Sequence, residues 1–348
     1  MADGLLLRAV KGQAKSLNLG NKGLKAVPTI IGRVRSLQTL TLKGNRLKDL
    51  PKETVALQEL ENLNLGNNDF WEIPIVIAYL SSLKSLHFFN NHLHQIKPEI
   101  FSNLSCLTLL NLNNNHLREL PKEINRLSAL EYLSLDNNNL VLLPVEVCHL
   151  SQLVELHVAN NQLQSLPVAI AFLRNLRKLY VQKNNIELIP EGLAKCTCLE
   201  VLDISVNQIR YFPGQLASLG IKELYCEQNN LLQHLPVQSI QDEEVLPLKE
   251  LAARFILTAL QDSSSHMRIE VKYNQKVQEI LASARQCDVC SKPYLNTWLE
   301  CVRFVDARKI IGTRNNCGII PLRGMLCSYA CFNSDGHDYY GIAQVDSS

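Results

Sequence analysis

The chain has 348 residues, 35 basic and 33 acidic side chains, a formal net charge of +2 at pH 7 and 46% hydrophobic residues. So balanced a charge, with Lys and Arg spread rather than clustered, argues against nucleic acid or an anionic membrane as the principal partner. There is no apolar run of membrane-spanning length, and the opening Met1-Ala-Asp-Gly-Leu-Leu-Leu-Arg8 is too short in apolar length for a signal peptide; the expectation is a cytoplasmic protein, with the nucleus as the other compartment.

Residues 1–14 read as an amino-terminal cap, with one or two helical turns over Gly4 to Lys11 covering the open end of a repeat array. Residues 15–236 are that array, built on one unit shown best by Leu110-Asn-Leu112-Asn-Asn-Asn115-His-Leu117-Arg-Glu-Leu120-Pro121. The Asn of that unit recurs as Asn45, Asn68, Asn91, Asn115, Asn138, Asn161, Asn184, Asn207 and Asn229, in steps of 22 to 24 residues. Such a period means stacked coils, each a supersecondary unit that buries its apolar face only against the next. In each coil Leu-x-Leu is a short strand whose two Leu point inward, while the residue between them faces the other side. The Asn three residues later turns the chain, and its amide can bond the backbone of neighbouring coils, so stacked Asn side chains form a ladder. Lys22 stands where the first ladder Asn would be, a departure a terminal coil tolerates. The Pro series from Pro28 to Pro236 counts ten coils, each Pro lying outside the sheet ladder.

The period-2 rule also names the inner face: Asn18, Thr41, Asn64, His87, Asn111, Ser134, His157, Tyr180, Asp203 and Tyr225 between the paired strand residues, with Phe89, Leu109, Tyr132, Asp136, Glu155, Lys178 and Glu223 in flanking columns. Aromatic anchors among carboxylates are the composition of a protein-binding hot spot. The candidate protein-binding residues are therefore His87, Phe89, Asn111, Tyr132, Asp136, Glu155, His157, Tyr180, Asp203 and Tyr225; the alternative is a solvated face that carries whatever water tolerates. His87 and His157 lie three strands apart, about 14 Å at ordinary strand spacing, so they cannot share an ion. No catalytic residues are assigned.

Residues 237–286 form the next segment. Leu248, Leu251, Ala252, Phe255, Ile256, Ala259 and Leu260 share one face of an amphipathic helix, with Pro247 at its start, and a helical cap sealing the last coil is the first expectation. After the polar break Gln261 to His266, helical spacing returns over 269–284. Residues 287–348 are a Cys-rich module. Cys287-Asp-Val-Cys290 and Cys327-Ser-Tyr-Ala-Cys331 are two close pairs, the spacing by which four thiolates hold one structural zinc, with free or redox-active thiols as the alternative. Cys301 and Cys317 between them read as core residues or spares, and Cys196 and Cys226, which stand where Leu is expected, as small buried apolar residues.

Residues 15–236 resemble the intracellular leucine-rich repeat superfamily, which implies an α/β leucine-rich repeat solenoid: a curved array of about ten repeats with a parallel concave sheet, here with a helical cap and a small carboxyl-terminal Cys-rich module. Leu251-Ala-Ala-Arg-Phe255, Trp298-Leu-Glu-Cys-Val-Arg-Phe304, Cys327-Ser-Tyr-x-Cys331 and Gly341-Ile-Ala-Gln-Val345 are similar to the tail of one branch of that superfamily, and imply a non-enzymatic interaction protein. Extracellular arrays of this class carry Cys clusters at their flanks, and the amino-terminal flank here has no Cys. Leu248, Ala252 and Ile256 resemble the elongin-binding box of cullin ubiquitin-ligase substrate receptors, and Pro321, Leu322, Leu326 and Tyr329 the cullin-selecting half of the same module. Ala252 replaces the usual Cys, and Arg323 a Pro. The functional expectation is a scaffold that holds a protein ligand on its concave face, with elongin B/C and a cullin as further partners. The alternatives are a signalling scaffold for small GTPases or phosphatases, and a redox- or metal-responsive protein acting through its carboxyl-terminal cysteines.

Overall fold

The structure, a computed structural model, describes residues 2–232, 246–262, 264–295, 299–310, 318–334 and 336–341. Pro236, Val245, Trp298, Cys317 and residues 342–345 of the last motif lie outside these.

The chain opens with helix α1 (Ala2–Lys11), which buries Leu6 and Ala9. Three-residue strands then recur once per coil: β1 (Ser16–Asn18), β2 (Thr39–Thr41), β3 (Asn62–Asn64), β4 (Ser85–His87), β5 (Leu109–Asn111), β6 (Tyr132–Ser134), β7 (Glu155–His157), β8 (Lys178–Tyr180), β9 (Val201–Asp203) and, after the two-residue β10 (Phe212–Pro213), β11 (Glu223–Tyr225). Strands β1 to β9 and β11 form one ten-stranded parallel sheet in chain order, in a register that sets each central Leu beside the next. Identical apolar spacing in every coil leaves no other register that keeps all the Leu inside.

The asparagine ladder is complete from Asn45 to Asn229. Asn138 shows the scheme: its Oδ1 accepts the Leu117 N–H at 3.1 Å, and its Nδ2 donates to the Leu112 carbonyl of the preceding coil at 3.1 Å and to the Leu135 carbonyl of its own at 2.9 Å. A buried amide with every donor and acceptor engaged ties two coils by a network that an apolar side chain cannot replace. The residue before each ladder Asn takes a left-handed backbone. Asn fills it at Asn67, Asn90, Asn114, Asn137 and Asn160, as its low cost there predicts, but Lys183, Val206 and Gln228 occupy it in the later coils.

Away from the sheet most coils close through a single 3-10 turn that begins after the coil's Pro and buries an apolar or small side chain, such as Ile31 in Thr29–Arg33, Ile77 in Ile75–Tyr79 and Ile124 in Lys122–Arg126. The Pro fits there because its fixed φ and missing N–H suit the start of a turn. Pro213 departs from the expectation that every such Pro lies outside a sheet. It sits in β10, which pairs only with β15 (Ile319–Leu326), on an edge where a missing N–H costs no ladder bond.

By its internal contacts the chain divides into two compact units, one of Met1–Arg210, Gln215–Asn230 and Ala307–Gly318, the other of Tyr211–Gly214, Leu231–Asp306 and Ile319–Ser348. In the second unit, helix α2 (Leu248–Gln261) starts after Pro247. Helical spacing over 269–284 resolves into α3 (Met267–Lys272) and α4 (Gln275–Leu281), divided where the Asn274 side chain caps α4 by accepting the Val277 N–H. Next comes the hairpin β12 (Arg285–Gln286) and β13 (Pro293–Tyr294). Strand β14 (Leu299–Asp306) pairs antiparallel with β15 along its whole length and with β16 (Tyr339–Gly341) on its other edge. The short helices α5 (Ala307–Ile310) and α6 (Tyr329–Phe332) complete the described elements.

Candidate functional site

Strand alternation delivers the expected row on the sheet's concave face. Asn111, Ser134, His157, Tyr180, Asp203 and Tyr225 stand side by side across adjacent strands. The His157 ring stacks on Tyr180 with centroids 4.5 Å apart and meets Tyr132 in a tilted contact at 5.0 Å. Its Nε2 lies 3.3 Å from Glu155 Oε2 and its Nδ1 3.8 Å from Asp136 Oδ2, while Lys178 Nζ holds the other Glu155 oxygen at 2.8 Å. Imidazole faced by two rings and two carboxylates is a fixed aromatic and acidic platform. Burial pushes the Asp136 carboxyl above its ordinary range, a rise only partly offset by the Ala159 N–H and by His157. At Glu155 burial acts the same way, but hydrogen bonds from Lys178 and His157 outweigh it and the carboxyl falls below its ordinary range.

The remaining expected residues group around this platform or apart from it. Tyr225 donates to Glu223 Oε2 at 2.9 Å, and Asp203 accepts from the Ser205 hydroxyl at 2.7 Å, so both are committed within their own coils. Asn111 accepts the Asn113 N–H, and Ser134 is fully buried, donating to Asn113 Oδ1. His87 and Phe89 form a second, separate pair in edge-to-face contact at 6.2 Å, with Lys43 Nζ 5.2 Å from the Phe89 centroid. Phe89 is half-buried, because Gly66 leaves a flat floor for its ring.

One aromatic cluster escaped the period-2 argument. Trp71, 58% exposed, stacks on His94 at 5.4 Å and lies tilted against His92 at 5.4 Å, and His116 packs on both histidines. These residues sit one or three positions after ladder asparagines, outside the strands. The available signal was the aromatic and His content at those two offsets in three successive coils.

The four expected thiols converge. Sγ atoms of Cys287, Cys290, Cys327 and Cys331 all lie within 4.8 Å of one another, and Cys327 is 3.6 Å from both Cys290 and Cys331. The hairpin between β12 and β13 supplies the first pair, with Ser291 left-handed just after Cys290; the end of β15 and helix α6 supply the second. Burial opposes ionisation of Cys287, yet N–H groups of Cys290, Cys327 and Val289 aimed at its sulfur bring that thiol below its ordinary range. Cys301, expected in the core, is buried there, and burial pushes its thiol up to about 12. Cys226 is buried as expected but is disulfide-bonded, a correction to its reading as a plain apolar substitute for Leu.

On α2, Leu248, Leu251 and Phe255 are 83%, 49% and 69% exposed, Ala252 is exposed and Ile256 half-buried. The helix packs instead through Glu250 and Ala253, with Glu250 Oε1 accepting from Arg254 at 2.7 Å and from the Leu295 N–H at 2.9 Å. Most of the residues that resemble a cullin-selecting segment lie in a paired strand. Pro321, Leu322 and Leu326 are buried within strand β15, paired on β14, and Tyr329 begins α6 half-buried.

Comparison with known proteins supports the fold. A family model described as a leucine-rich repeat region matches residues 90–208. Leucine-rich repeat-containing protein 69 of Xenopus laevis is 44% identical over 123 residues, which is 35% of this chain and 36% of that protein, so the match spans little more than a third of the relative's length. A leucine-rich repeat protein of Leptospira interrogans is 32% identical with a TM-score of 0.55, covering 62% of this chain and 61% of its own. The leucine-rich repeat ectodomain of a plant membrane receptor kinase from Arabidopsis thaliana, solved in complex with Casparian strip integrity factor 2, is 32% identical with a TM-score of 0.56, covering 62% of this chain and 27% of its own. Among the described residues, no helix is long and apolar enough to cross a membrane.

Proposed function

The solenoid is a leucine-rich repeat array, and from that premise we propose that the protein is a non-enzymatic scaffold holding a protein ligand on its concave sheet, centred on His157. The observation that carries this reading is His157 in ring contact with both Tyr132 and Tyr180, edged by Asp136 and Glu155. Rigid rings that give up little entropy on binding, beside carboxylates already oriented, are what an interface anchor needs. The acidic edge favours a ligand segment with Lys or Arg beside an apolar side chain. A solved neighbour with the same fold is in complex with a separate factor, which agrees with this use of the fold. Affinity purification with the wild type and with a Tyr132→Ala/Tyr180→Ala variant tests it. A ligand that survives with the wild type should bind the folded variant about 30-fold more weakly; full retention of every specific interactor overturns the reading.

A second reading rests on α2. Its exposed Leu248, Leu251 and Phe255 support a helix laid into an adaptor groove, as in elongin B/C recruitment, although burial of Pro321, Leu322 and Leu326 leaves the cullin-selecting step without its segment. Co-purified elongin that Leu248→Asp abolishes would bear it out; recovery unchanged by that variant rejects it. Zinc in the four-cysteine cluster would act as a structural ion.

A further inference from the structure

We infer that the zinc ion of the four-cysteine cluster is the folding keystone of the second unit alone, so that the unit from α2 to β16 is ordered only when the metal is bound, while the repeat sheet folds without it. The inference rests on the reading of Cys287, Cys290, Cys327 and Cys331 as a zinc site.

The sulfur geometry comes first. Zinc held by four thiolates at about 2.3 Å sets the sulfurs at the corners of a tetrahedron with edges of about 3.8 Å. Cys327 lies 3.6 Å from both Cys290 and Cys331, far beyond a disulfide bond of about 2.0 Å and close to that edge. The four residues come from two places in the chain, a hairpin turn and the end of β15 with α6, and each pair can grip one side of an ion. N–H groups point at sulfur, as from Cys327 to Cys287 Sγ at 3.4 Å, which offsets the excess negative charge of four thiolates around a divalent cation.

The second observation concerns what else holds the unit. The buried cluster around the ligands is Cys287, Tyr294, Cys301, Met325, Leu326 and Cys327, so half of its side chains are cysteines and two of those are ligands; β14 and β15 add Val302, Ile320 and Leu322, and the segment after β13 adds Leu295. A core of this size falls short of the chain entropy of its segments unaided. Helix α2 adds little, because its apolar stripe is exposed and its attachments are polar: Arg254 Nη2 donates to the carbonyl of Cys327 at 2.7 Å, and Glu250 accepts the Leu295 N–H next to Tyr294 of β13. Both attachments end on or beside the ligand-bearing segments. The repeat sheet, by contrast, has ten strands, a continuous Leu core and a ladder of buried asparagines. A metal that organises its ligands supplies its binding free energy as folding free energy.

The test uses the full chain. Purified protein should carry one zinc, lost in a Cys327→Ser/Cys331→Ser variant and kept in Cys301→Ser, whose thiol is buried but outside the tetrahedron; absence of bound zinc, or its retention by the double variant, overturns the metal site and with it the inference. Hydrogen exchange is then measured before and after a strong zinc chelator. Amides of α2, β14 and β15 should exchange faster by on the order of a hundredfold, and readdition of zinc should restore them, while strands β2 to β9 keep their protection. If zinc is present and leaves on chelation but β14 and β15 stay protected, the site stands and the keystone role is refuted; loss of protection throughout the repeat sheet refutes its restriction to the second unit.

Discussion

The ring of Phe89 lies against Gly66 so closely that a Cβ added there would come within 2.5 Å of the ring's Cζ. A residue on the exposed column of β4's coil is thereby half-covered by the coil before it, with Lys43 over its ring. Gly66→Ala should therefore push Phe89 into solvent rather than break the backbone, since the clashing atoms belong to the end of a side chain. The expected loss is about 1 kcal/mol. In a denaturation cycle with Phe89→Ala, the double variant should lose clearly less than the sum of the singles; strict additivity would show that the two residues do not depend on one another.

The ladder makes a stronger prediction. Asn138→Ala removes the acceptor for the Leu117 N–H and the donor for the Leu112 and Leu135 carbonyls, all of them buried. Leaving such groups unpaired should cost about 2–4 kcal/mol in urea unfolding. Asn229→Ala, at the half-buried end of the ladder, should cost less. Equal losses would mean that the ladder is not reinforced by its neighbours.

These residues were legible because their chemistry repeats. Leu-x-Leu, or Leu followed two residues later by another apolar side chain such as Phe88, Val158 or Ile204, with Asn three residues on, satisfies both the inward pleat and the buried amide network, so the period placed the ladder strands and named the concave row. The cysteine cluster was legible from two close pairs, since a tetrahedral ion asks for little more than that spacing. What escaped depended on which surface meets which. Periodicity showed that Leu248, Leu251 and Phe255 share a face of α2, but not that this face is left open while Glu250 and Ala253 make the contact. Pro321, Leu322 and Leu326 matched a short docking pattern whose residues equally suit a buried strand, and pairing with β14 decided for the strand. Trp71 and its histidines obey no strand alternation, and the disulfide at Cys226 has no mark in the spacing of the repeats.

Val206 stands in the left-handed position that Asn takes in the earlier coils, with φ of 55°. A β-branched residue is strained there, by about 1–2 kcal/mol. Val206→Asn should relieve part of that cost and raise the midpoint of urea unfolding without changing its slope. The same change of Lys183 to Asn should gain less, because an unbranched side chain tolerates the conformation better. A lower midpoint for Val206→Asn would show that the Val side chain makes a contact worth more than the strain.

His87 gives the fold a pH dependence of definite sign. Burial, and then the charge of Lys43, hold its imidazole below the ordinary value of 6.5. Above pH 6.5 neither folded nor unfolded chain keeps a proton on this ring, and it contributes no slope. As pH falls through 6.5 the unfolded chain takes up the proton first, so folding loses stability until pH reaches the lowered folded value, below which the loss is constant. The two edges of that window are thus the unfolded pKa above and the folded pKa below. His87→Gln, which keeps a polar group near the Ser85 hydroxyl that contacts Nε2 at 3.1 Å, removes the proton and should flatten the stability profile below pH 6.5 relative to the wild type. The difference between the two proteins in urea unfolding, measured in steps from pH 8 to pH 5, should stay level at first and shift in favour of the variant as the solution becomes acidic. A difference that is constant throughout, or that shifts toward the wild type in acid, would mean that this imidazole is protonated at least as readily in the folded chain as in the unfolded one.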